Sequence, residues 1–213
     1  MRKGVVNIMK LWEKSFRDIE KQYIYLAVPD LAAQLNEFFE GAEQATGVLC
    51  YCYLDYEQGL QFAVLCCAQF DAETRSLKLL AGNPAQSVTL PYARLSEAEA
   101  AVLSAALPRL AEFQAKVDAV QARCNASADI EKTRQLKTLD HLRSAERPDD
   151  VLVRLVHGES VEEVLVRLAG VNELQLYGTL MSEPQGDFGV HAGDSLSFYL
   201  VKNAQGIMCL ALV

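Results

Sequence analysis

Long hydrophobic runs, positive charge and histidine are what this sequence is short of. No stretch approaches the roughly 20 continuous apolar residues that a bilayer-crossing helix needs, although hydrophobic residues make up 51% of the 213. Twenty Lys and Arg stand against 28 Asp and Glu, a net charge of −8. Such a surface repels phosphate backbones and anionic headgroups, so neither nucleic acid nor membrane is an expected partner. The three histidines, His141, His157 and His191, have no second ligand at metal spacing, and no HxH or HExxH occurs. A phosphate-binding loop, a dinucleotide fingerprint and a GxSxG elbow are also missing. No cofactor is therefore expected. The first nine residues open like a signal peptide, but the apolar run is short and Lys10, Glu13 and Lys14 follow at once. A cytoplasmic bacterial protein is the expectation, with Met9-Lys10 as an alternative translation start to Met1.

What is present is the balance of a packed globular chain, with 23% charged residues against the apolar half. The stretch 47–82 is its most apolar long block and holds four of the six cysteines. It reads as three strands with turns at Glu57-Gln58-Gly59 and at Asp71-Ala72-Glu73-Thr74. Both faces of the first strand are apolar, so the sheet is expected to be covered on both sides. A second block of the same grammar, 174–213, carries strands at 174–181, 195–201 and 207–212. A hairpin at Asn203-Ala204-Gln205-Gly206 joins the last two.

Around these blocks the periodicity shifts. Residues 8–21 place Ile8, Leu11, Trp12, Phe16 and Ile19 at helical spacing. Residues 23–28 read as a strand, and Pro29 opens a helix that ends near Gly41. A short strand is a candidate at 87–90. Ser96 and Glu99 match a capping box that begins an alanine-rich helix, divided at Pro108 and resuming through Leu110, Phe113, Val117 and Val120. Asn125-Ala126-Ser127 breaks it, and a further helix is expected over 129–145. Residues 151–156 read as a strand. Ser160 and Glu163 match a second capping box, giving a helix over 161–169 with Gly170 behind it.

The expected fold is α+β with antiparallel sheets: two βαβββ lobes, 1–95 and 148–213, joined by a helical hairpin at 96–147, or all three parts integrated in one domain. The ending Gly178, Leu180, Pro184, Gly193-Asp194 and Phe198 resembles that of small bacterial domains, which implies no activity.

Three constellations are candidates for chemistry. Cys50, Cys52, Cys66 and Cys67 lie on adjacent strands, where a tetrahedral thiolate site would need them to converge. CxC and CC spacings on flat strands wrap a metal poorly, and buried free thiols are the alternative. Asp187, His191 and Asp194 share a glycine-rich loop that suits either acid–base chemistry or a plain turn. Lys132, Arg134, Lys137, Arg143 and Arg147 alternate with acids, which suits a solvated, ion-paired face. The function expected from this is a non-enzymatic binding or protein-interaction module, with a protein partner or a second copy as its target. The alternatives are a small hydrolase-like enzyme using the Asp187/His191/Asp194 loop, or a cysteine metal-binding protein.

Overall fold

The computed structural model describes residues 7–35, 38–39, 42–82, 86–103, 108–124, 126–173, 175–204 and 206–213. Gly41, Asn125 and Gln205, expected at chain breaks, lie outside them. The fold is α+β and mostly β, and the chain forms two compact units, 1–125 and 126–213. Residues 96–147, expected as a connector, are shared between the two.

The first unit contains β1 (Met9–Lys10), α1 (Phe16–Ile19), β2 (Tyr23–Ala27), α2 (Pro29–Gln34), β3 (Gly47–Asp55), β4 (Gly59–Asp71), β5 (Ser76–Gly82), β6 (Val88–Pro91), β7 (Glu99–Leu103) and α3 (Gln114–Arg123). Its sheet runs β1-β7-β2-β3-β4-β5, with β6 also paired to β4. All of these pairs are antiparallel. The sheet is covered on both faces, as the apolar strands require. Leu11, Phe16, Ile19, Leu35 and Phe39 pack with Cys50, Cys52 and Val64 on one side. Phe113, Val117 and Val120 pack with Leu49, Tyr51 and Leu65 on the other. β2 and β3 approach so closely at Gly47 that a Cβ there would lie 2.0 Å from the Leu26 carbonyl oxygen. Beside it, the Thr46 hydroxyl joins the Tyr25 hydroxyl at 2.8 Å and accepts from the Phe70 amide at 2.7 Å.

Two expected helices of this unit are not formed. Residues 8–21 make β1, a 3-10 turn over Leu11–Glu13 and only one turn of α-helix. Ser15 explains the break: it is extended, its side chain accepts from the Arg17 amide, and its own amide donates to the Asp18 carboxylate at 3.2 Å. Leu11, Phe16 and Ile19 still reach the core, whereas Trp12 stays 56% exposed. The capping box at Ser96 is overturned as well. Residues 99–103 form β7 between β1 and β2, with Ala100 and Ala101 on opposite faces. Hydrogen bonding on both sides outweighs the helix propensity of alanine.

The second unit holds α4 (Ala128–Gln135), a 3-10 turn over Lys137–Leu142, and β8 (Asp150–His157), β9 (Ser160–Asn172), β10 (Gln175–Leu180), β11 (Ser195–Asn203) and β12 (Gly206–Leu212). The five strands close into a barrel. Each neighbours the next in an antiparallel meander, so the first and fifth point the same way. Closure between β12 and β8 is accordingly parallel. A closed barrel leaves no unpaired edge among its strands. Val153, Val166, Leu176, Phe198 and Cys209 fill it, joined by Leu139 and Phe188 from outside the strands.

The helix expected over 161–169 is strand β9, so the second unit is not βαβββ, although the first does contain that order from β2 to β5. Val164, Val166 and Leu168 are buried while Leu165 and Arg167 are not, an alternation of two. Gly170 is not a helix cap: the Tyr177 ring lies over it, and a Cβ would sit 2.2 Å from the tyrosine oxygen.

Candidate functional site

β4 carries a bulge opposite Leu49/Cys50, where Leu49 pairs with Cys66 but Cys50 pairs with Val64. The extra residue puts Leu65 and Cys66 on the same face and returns Cys67 to the other. Cys50, Cys52 and Cys67 thus share one core and Cys66 the opposite one. All four are buried free thiols. Among the described residues, no three Cys, His, Asp or Glu side chains are placed to hold a metal ion. Burial raises the Cys50 and Cys52 pKa values well above those of ordinary thiols, and pushes Cys66 up to about 12.

In the loop between β10 and β11, Asp187 and Asp194 serve the backbone. Asp187 accepts from the Gly189 amide at 3.3 Å, and Asp194 from the His191 amide at 2.7 Å. The His191 ring pairs with Glu183 at 2.6 Å, a partner that the spacing did not suggest. Both side chains are largely exposed, at 73% and 60%. Hydrogen bonding to Glu183 raises the His191 pKa and lowers that of Glu183. His141 and His157 each bond a main-chain carbonyl, of Ile207 and Val213 respectively.

The basic cluster is not a solvated face throughout. Arg134 is buried and grips Asp149 through two bonds, of 3.0 and 2.6 Å. Arg143 donates to the carbonyls of Pro148 and Thr133, and Arg167 pairs with Asp150 through 2.7 and 3.1 Å bonds. Planar guanidinium forks suit such enclosed carboxylates and carbonyls. Lys132, paired with Asp129, does remain in solvent.

The most unusual surface belongs to the outside of the barrel. Side chains that point away from the core pair across strands as Leu212–Val156–Val161 in one row and Tyr199–Leu210–Arg154–Glu163 in the next. Leu152 opposes Leu165 in a third row, and Met181 donates its amide to the Leu165 carbonyl. Leu212 is 76% exposed, Val161 56% and Tyr199 51%. The charges central to these rows, Arg154 and Glu163, pair with one another at 2.8 Å. A solvent-facing barrel wall ordinarily alternates apolar inside with polar outside. This wall departs from that rule over three neighbouring strands, β12, β8 and β9.

No family model, curated protein or solved structure matches this chain.

Proposed function

We propose that this chain is a non-enzymatic protein-interaction module, and that it binds a second copy of itself through the outer wall formed by β11, β12, β8 and β9. The observation behind this reading is the set of exposed apolar side chains, Leu212, Val161 and Leu165, that flank the Arg154–Glu163 pair on this wall. Contiguous exposed apolar patches are uncommon on monomers and mark association surfaces. Covering such side chains is favourable by about 25 cal/mol for each Å² removed from water. A second copy is favoured over an unrelated partner by the charges within the rows. A two-fold axis passing between Arg154 and Glu163 sets each against its opposite on the other copy, so the patch is complementary to itself.

The enzyme reading, with Asp187, His191 and Asp194, has less behind it. The two carboxylates are occupied by loop amides, and the histidine stands in open solvent. General acid–base work calls for a cleft that holds substrate against such groups. Light scattering of the purified full chain tests the proposal. A dimer that becomes monomeric on Val161→Glu, with an unchanged circular dichroism spectrum, is the expected outcome. A wild-type chain that stays monomeric at the highest soluble concentration would rule out self-association.

A further inference from the structure

A cavity of about 690 Å³ opens in the first unit between α3 and the edge of β4. It lies where β4 changes partners, from β5 above the bulge to β6 below it. Leu65, Phe113, Ala119 and Val120 give it an apolar lining. This volume is in the range of small-molecule sites, which are mostly apolar with a few placed polar groups.

The polar group placed here is Lys116. Its half-buried ammonium donates to the Val64 carbonyl at 2.8 Å and to the Gln86 carbonyl at 2.6 Å, and it lies 5.7 Å from the centre of the Phe39 ring. An ammonium has three donors, and both acceptors found are neutral. Glu112 also lines the cavity, but Arg109 already holds it through two 3.1 Å bonds. Arg123 adds a further cation to the lining. The cavity is therefore net positive on a chain of net charge −8. Enclosing a cation without a counter-ion is costly, and burial does pull the Lys116 pKa below the ordinary lysine value.

From this combination of an apolar lining and an ammonium held by two neutral carbonyls and an aromatic ring, we infer that the cavity binds a small amphiphilic carboxylate, its chain against Leu65 and Phe113 and its anion on Lys116. This site belongs to the first unit alone and does not depend on self-association.

Decanoate, kept below the concentration at which it self-associates, is the probe, titrated calorimetrically into the full chain. One saturable site per chain is expected, with decanol, of equal length but no charge, bound about tenfold more weakly or worse, as fits one charge-assisted hydrogen bond. Lys116→Met should erase that preference. Ala119→Trp, on an exposed position of α3, should fill the cavity and abolish binding while the melting temperature holds. Absence of saturable decanoate binding would overturn the assignment. So would equal affinity for decanol, or wild-type binding by Ala119→Trp.

Discussion

Cys66 and Cys209 have pKa values pushed up to about 12 because their thiolates would sit in apolar surroundings, and Cys50 and Cys52 are raised for the same reason. A thiol reagent needs both the thiolate and access to it. Of the six thiols only Cys124 is partly exposed, beside Asp55. In the native chain one thiol, Cys124, should label with a maleimide, and the other five only on unfolding. Mass mapping of the labelled peptides checks this, and fast labelling at Cys50 or Cys66 would contradict the placement of these strands. His191 behaves differently because its partner is in solvent. Its pKa is raised by Glu183, so the pair's contribution is fully present below the free histidine pKa, provided that Glu183 is ionised. That contribution fades as pH rises through the folded value. Glu183→Gln should bring the His191 pKa, followed by NMR, back down toward about 6.5, with little effect on global stability, since exposed pairs contribute little.

The link between α4 and the barrel depends on the Arg134–Asp149 pair, whose side chains are only 5% and 3% exposed. Removing Asp149 takes from the enclosed guanidinium the carboxylate that it holds through two bonds, and leaves its 3.0 Å pair with the more exposed Glu131. Asp149→Ala should cost about 3–5 kcal/mol, whereas Asp129→Ala, which breaks the exposed Lys132 pair, should cost about 1 kcal/mol or less. Urea unfolding followed by far-UV circular dichroism measures both. The same scale shows what the sequence could and could not reveal. Strands β3 to β5 and β10 to β12 were legible because turn residues punctuate long β-branched and aromatic runs. The helices expected to start at Ser96 and to run over 161–169 give way, at 99–103 and 161–169, to strands for a shared reason. Ser-x-x-Glu can cap a helix, but it does not compel one when neighbouring strands hydrogen-bond the segment on both sides. The bulge in β4 carries no sequence signature, and it is what puts Cys67 rather than Cys66 on the face of Cys50 and Cys52. Arg134 resembled its solvated neighbours because enclosure by a distant loop leaves no local pattern. The barrel wall did leave a trace: residues 151–156 are apolar at both inward and outward positions apart from Arg154. That trace could be read as an exposed face only once the barrel was closed.

As a whole, the chain has two units of different construction, a sheet covered on both faces and a closed barrel. Trp12, the single tryptophan, lies in the first. Its fluorescence should therefore follow unfolding of the first unit, and tyrosine signals are needed for the second. Net charge favours separation of like chains, so self-association must come from a surface that is both apolar and internally balanced in charge. The wall around Arg154 and Glu163 meets both conditions. Sedimentation velocity of four forms of the full chain tests this most directly: wild type, Arg154→Glu, Glu163→Arg and the double exchange. The account predicts a dimer for the wild type, monomer-shifted single variants and a restored dimer for the exchange, because the two-fold arrangement survives swapping the charges. A monomeric wild type, or single variants that dimerise as well as it does, would contradict it.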